Sequence, residues 1–245
     1  MARLANVHLT VHDEAKDVDQ AKDISHIVVL AHGIDGHSAD MHAVRDAIQA
    51  HQRGGMRVWE TRTNERSGTH SGVFKCAERI WTELKPELEL HSRCESPLRV
   101  SFVGHSLGAL ILRAVAAMLH AEMRGHCVLD TLICVAGPHL GCRRLGKGGK
   151  GGVAPLMSAF GPSLMRAGLR LIKGSTGPSL LLDDDVLLQL TDDEHCAALR
   201  AFERRLLYSN GSLDCAPSPF LSVWPCRVTS ATSRPFSVAV YVQGR

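Results

Sequence analysis

An α/β domain built around a largely parallel sheet is the fold class this sequence predicts, on three observations. Short, β-branched, uniformly apolar runs such as Ile27 to Ala31 (IVVLA) recur along the chain, as expected for strands buried on both faces. These runs alternate with segments whose apolar residues fall at helical spacing, which is the pattern of βαβ units. One strand-to-helix junction carries Gly104-His105-Ser106-Leu107-Gly108, a G-x-S-x-G. The chain has 245 residues, 44% hydrophobic and 22% charged, which suits one globular domain over 1–245 with a sizeable core. With aromatics at only 4%, that core must be mostly aliphatic.

After Ile27 to Ala31, Ser38 is placed to cap a helix with Met41, Val44 and Ile48 on one face. Met56 to Glu60 (MRVWE) is a second, shorter strand. Val73, Cys76, Ala77, Ile80, Trp81, Leu84 and Leu88 follow helical spacing, and Pro86 is expected to end or kink that helix near Lys85. Leu98 to Val103 is the third strand, and Leu107 to Leu119 is a helix apolar nearly all round, hence central. Val128 to Ala136 (VLDTLICVA) is the fourth strand. Residues 143–152 (RRLGKGGKGG) read as a flexible loop, and 153–200 as helical pieces broken by Gly161-Pro162 and Gly177-Pro178, forming a cap-like segment over the site. Arg205 to Ser209 and Phe236 to Val242 are the last strands. The core is expected over about 24–214, followed by an atypical tail over 215–245.

The G-x-S-x-G lies where a nucleophile elbow requires it, between strand and helix. There Ser106 projects above the sheet, and the glycines on either side let strand and helix pass closely. The helix start aims its N–H groups and its positive dipole end at the site. Directly after the first strand comes His32-Gly33-Ile34-Asp35-Gly36. An acyl-transfer enzyme stabilises a tetrahedral oxyanion with two backbone N–H groups. Leu107, the residue after the nucleophile, and Ile34 in the early glycine loop are the candidates for that oxyanion hole.

Further motifs extend the pattern: Asp40-Met41, NERSGTHSG over Asn64 to Gly72, FVGHSLGALILR, VAGPHLG over Val135 to Gly141, PSLLLDDDVLLQLTDDE, and AFERRLLYSNGSLDCAP over Ala201 to Pro217. With these the chain resembles the putative serine esterase family of lipase-like α/β-hydrolases, a group of unknown function, from about Ile27 to Pro217. The resemblance implies an α/β-hydrolase fold, hydrolysis of carboxylic esters of lipid type, and a Ser, Asp, His triad in that chain order. Asp214 matches the family's acid in the pattern Tyr-x-Asn-x3-Asp-x2-Pro, and it follows a late strand, as the acid loop does.

None of the fourteen histidines follows Asp214, and residues 215–245 hold four of the ten prolines without Asp, Glu, Lys or His. The base is therefore unassigned. His139, after a central strand, is the remaining candidate, but its place in PHLG suits a loop brace better. His105 is expected to turn away from the Ser106 hydroxyl, His32 to brace the oxyanion loop, and His195 to sit at a solvated helix start. The expected activity is that of a serine ester hydrolase (lipase or esterase) of lipid metabolism working through an acyl-serine. The alternative is a catalytically impaired hydrolase-fold protein that binds lipid or protein.

Gly141 to Gly148 stops one residue short of a P-loop and ends in glycine where magnesium needs a hydroxyl, and acidic runs such as Asp183 to Asp185 suit solvated faces. No cofactor or metal is expected. A net charge of +3 gives no reason to expect nucleic acid as a partner. The apolar runs are too short for a transmembrane segment, so any membrane or lipid-droplet contact would be peripheral. Eight cysteines without a CxxC pair, behind an N-terminus too charged for a signal peptide, read as reduced thiols in a cytoplasmic protein.

Overall fold

The computed structural model describes residues 24–52, 54–92, 96–141, 174–181, 184–208 and 237–239. The strands are β1 (His26–Ala31), β2 (Met56–Glu60), β3 (Leu98–His105), β4 (Cys127–Val135), β5 (Arg204–Tyr208) and β6 (Ser237–Ala239). They form one sheet in the order β2-β1-β3-β4-β5-β6 with every neighbouring pair parallel. The helices are α1 (His42–His51), α2 (Val73–His91), α3 (Leu107–Glu122), α4 (Thr176–Leu181), α5 (Val186–Gln189) and α6 (Asp193–Ala201). Two 3₁₀ turns, Ser38–Met41 and Arg66–Ser71, precede α1 and α2.

Alternation along β1 explains why the sheet is covered on both faces. Ile27, Val29 and Ala31 enter the larger core beneath α2, α3 and α6, while Val28 and Leu30 enter a smaller one with Met41 and Val103, flanked by Val44 and Ile48 of α1. Burying a Leu or Ile contributes roughly 1.5–3 kcal/mol. Helix α3 is buried continuously from Leu107 to Ala117, so the helix that follows Ser106 is the central rod of the molecule. This is the α/β-hydrolase fold.

Three local expectations are corrected. Ser38 does not cap α1: the chain makes a 3₁₀ turn first, and the Ser38 N–H and hydroxyl both donate to Glu65 Oε1, at 2.9 and 2.7 Å. Those bonds hold the Glu65 carboxyl down at about 2. Pro86 does not end α2, which runs on to His91. Its ring faces solvent, where the Thr82 carbonyl can be hydrated, and Leu84 and Leu88 on the opposite face are completely buried. At the end of the segment 153–200, expected as a cap, α6 packs against α3 with Ala198 and Leu199 in the main core, and residues 153–173 of that segment lie outside the described residues. His195 is not simply solvated there, because its ring lies 5.7 Å from that of Phe74 and its N–H donates to the N-cap Asp192. Residues 142–173, which include the expected loop at 143–152, and the tail apart from the backbone of β6 lie outside the described residues.

Candidate active site

The loops at the C-terminal ends of β1, β3 and β4 meet at one edge of the sheet, where open α/β sheets bind ligands. Each holds a non-glycine residue in left-handed backbone: Asp35 (φ 57°), Ser106 (φ 51°) and Ala136 (φ 51°). Such residues are uncommon and cluster at functional sites.

Ser106 is the turn between β3 and α3, with ψ −119°. Its N–H donates to the Val135 carbonyl at 2.8 Å, tying the turn to the end of β4. The elbow's glycines are sterically required. A Cβ on Gly108 would fall on the backbone carbonyls of Ala31 and His32, and one on Gly104 would lie 2.5 Å from the Ala109 Cα. So α3 crosses β1 and β3 at backbone contact, and Ser106 has no room to relax into the helix.

The loop after β1 closes on itself through the Gly36 N–H, which donates to the Gly33 carbonyl at 3.1 Å. His32 Nδ1 donates to the same carbonyl at 2.9 Å, the bracing role expected of it. A Cβ on Gly33 would press on the Ser106 Cβ at 3.2 Å, so the loop and the elbow stand side by side. Among the described residues, neither the Ile34 nor the Leu107 N–H is engaged in a hydrogen bond. A cleft of about 380 Å³ opens beside Ile34 and Ser106, lined also by Asp40, Met41, Val44 and His105 among others. Its walls are mostly apolar, with one acid and one imidazole.

His105 is among the residues that line the cleft with Ser106. Partial desolvation lowers its pKa below the ordinary 6.5, against the pull of Asp40. Among the described residues no histidine hydrogen-bonds the Ser106 hydroxyl.

His139 is only 1% exposed and is not among the residues lining the cleft. Its Nδ1 accepts from Arg113 Nη1 at 3.2 Å, and Arg113 Nη2 donates to the Leu190 carbonyl at 2.6 Å. Since guanidinium only donates, the ring's proton sits on Nε2, and the imidazole has no lone pair left there to take a proton from serine. Burial first, then the Arg113 charge, pushes its pKa well below 6.5. Asp214 lies outside the described residues, beyond the end of β5 at Tyr208.

Sequence reading missed Arg113, although a charge in the middle of an apolar helix was a visible anomaly that demanded a buried partner. It also missed Asp35 and His70, which meet beside the glycine loop after β1. The thiols of Cys127 and Cys134 do not compete with Ser106, because burial pushes them up to about 11 and about 12. Among the described residues, no cluster of His, Cys, Asp or Glu could hold a metal ion, and no helix is long and apolar enough to cross a membrane.

A parallel α/β sheet with a strained serine at the strand-to-helix turn defines a serine hydrolase of the α/β-hydrolase class. Residues 21–227 match the family described as Putative serine esterase (DUF676), and the chain belongs to that family. Solved structures resemble it at the level of the fold. They include the propeptide form of the Bacillus licheniformis lipase BlEst2 (14% identity, TM-score 0.47, 78% of this chain and 36% of that one). The Legionella pneumophila phospholipase PlaB has 15% identity and TM-score 0.49, over 76% of this chain and 39% of PlaB. The Streptomyces coelicolor RedJ thioesterase has 15% identity and TM-score 0.42, over 77% and 68%. The chain thus spans well under half of the first two of these proteins.

Proposed function

We propose that this protein is a serine ester hydrolase acting on lipid-like carboxylic esters through an acyl-serine intermediate. The observation that carries the reading is Ser106, held at positive φ at the mouth of an apolar cleft, with two unspent backbone amides nearby. The Ser106 Oγ attacks the ester carbonyl carbon, and the carbonyl oxygen becomes an oxyanion that accepts from the Ile34 and Leu107 N–H groups. The tetrahedral intermediate collapses with loss of the alcohol, and water then hydrolyses the acyl-serine. Asp214 is the acid that would orient a base.

That base is the weak point of the mechanism. His139 is committed to Arg113, and general-base assistance contributes typically about 10²–10⁴-fold. The oxyanion hole and binding alone still support turnover well above that in water. The protein is therefore a slow esterase, and its apolar cleft favours acyl chains over charged ones. It works in the cytoplasm, meeting lipid substrate by peripheral contact with a membrane or lipid droplet.

The engagement of His139 also favours a second reading, a catalytically impaired hydrolase-fold protein that retains the cleft to bind lipid or protein. Hydrolysis of a p-nitrophenyl ester series separates the two. The esterase reading expects slow, saturable hydrolysis that is lost in Ser106→Ala. Equal background rates in both proteins would leave the binding reading.

A further inference from the structure

Gly33 to Gly36 is a four-residue turn whose central residues are Ile34 and Asp35. The dihedrals of the two central residues decide where a turn's amides point, and a positive φ at the second of them must be held in place. Here the holding comes from the 3₁₀ turn Arg66–Ser71. The Asp35 N–H donates to Thr69 Oγ1 at 3.0 Å, and His70 Nε2 donates to Asp35 Oδ1 at 2.5 Å. The Arg66 N–H donates to the Gly36 carbonyl at 2.9 Å. The 3₁₀ turn is anchored in its own right, because Thr69 Oγ1 donates to the Arg66 carbonyl at 2.6 Å.

The far side of that turn is fixed by α4. Thr176, fully buried, donates from Oγ1 to the Thr69 carbonyl at 2.5 Å and accepts from the Gly72 N–H at 2.9 Å. The approach is tight, since a Cβ on Gly174 would lie 2.5 Å from the His70 carbonyl oxygen. Neither Asp35 nor His70 is among the residues lining the cleft. They do not meet substrate, yet they hold the residue next to Ile34.

We infer that Asp35, Thr69 and His70 form a clamp that holds in place the turn carrying the Ile34 amide, making Asp35 and His70 positioning residues for ester hydrolysis. This rests on the reading of Ile34 as an oxyanion donor. Thr69 fixes the plane of the Ile34–Asp35 peptide, and the His70 bond keeps the Asp35 side chain from letting the turn rotate. Without the clamp the Gly33–Gly36 turn is no longer tied to the Arg66–Ser71 turn and shifts as a unit, carrying the Ile34 N–H off the position the oxyanion will occupy. Substrate binding in the apolar cleft is untouched, so the loss falls on the transition state and not on the ground state.

The test compares His70→Leu, His70→Gln and Asp35→Gly with the full-length wild type. It measures the rate of fluorophosphonate labelling of Ser106, and kcat and KM on p-nitrophenyl butyrate. His70→Leu is expected to slow labelling and kcat by about tenfold to a hundredfold, as displacement of a catalytic donor does, with KM unchanged within about twofold. His70→Gln, whose amide N–H can reach the same carboxylate, should recover most of the loss. Asp35→Gly keeps the positive φ accessible but removes the carboxylate, so it should show the same kcat loss and carries the test if His70→Leu does not fold. Folded variants that label at the wild-type rate would overturn the clamp. So would a defect that His70→Gln does not repair, or one that appears in KM. A wild type that neither labels at Ser106 nor hydrolyses ester would overturn the esterase reading itself, and the clamp with it.

Discussion

Ser106 sits at φ 51° and ψ −119°, backbone that strains an L-residue by roughly 1–3 kcal/mol and that glycine adopts freely. Ser106→Gly is therefore expected to abolish hydrolysis while raising stability by about 1 kcal/mol, part of the strain relief being offset by the looser unfolded chain. A urea denaturation midpoint below that of the wild type would show that the elbow is unstrained. His139→Ala should behave in the opposite way. It leaves the buried Arg113 guanidinium short of an acceptor, a loss of about 2 kcal/mol, while the folded protein labels at Ser106 as fast as before. Loss of labelling in the folded variant would make His139 the base after all. Ser106, Ile34 and Leu107 could be proposed from the sequence because the elbow and the glycine loop are local patterns. Arg113 and His139 are far apart along the chain, as are Asp35 and His70, and nothing in either segment alone announces such a partner.

Periodicity located β1, β3, β4 and α3 to within a few residues because burial on both faces leaves no ambiguity about their apolar runs. It failed where one side chain chose between local and distant partners. Ser38 looked like a cap because the helix pattern starts beside it, but Glu65 supplies a better acceptor from another segment. Pro86 looked like a terminator because its position on the solvent face depends on how α2 docks. The junction of α3 with β1 yields the sharpest expectation. Gly108→Ala would force α3 away from the Ala31 and His32 carbonyls, and overpacking of this kind destabilises by about 1–3 kcal/mol. Because that displacement also moves the elbow, ester hydrolysis should be lost even at temperatures where the variant is fully folded. A folded Gly108→Ala with normal activity would show that the close approach is dispensable.

The fold buries the His139 imidazole in neutral form and partly desolvates two others, and this gives the molecule a pH dependence. His139 has a folded-state pKa well below 6.5, and those of His26 and His105 are also lowered, in each case with burial as the first cause. Below pH 6.5 the unfolded chain binds more protons than the native one, so the contribution of these groups is fully present above that pH and is lost as pH falls. For a fully buried group the slope approaches about 1.4 kcal/mol per pH unit. The urea midpoint should drop between pH 7.5 and pH 5.5, and drop less in His139→Gln. A midpoint that rises toward pH 5.5 would contradict this picture of desolvated rings.

All of this arranges one oxygen atom at the edge of a parallel sheet, and the most direct test is to ask whether that oxygen reacts. After prolonged incubation with a fluorophosphonate, peptide mapping by mass spectrometry should find a single adduct on Ser106, formed slowly and absent from Ser106→Ala. An adduct on any other residue, or none from a protein shown to be folded, would contradict the assignment of Ser106 as the nucleophile.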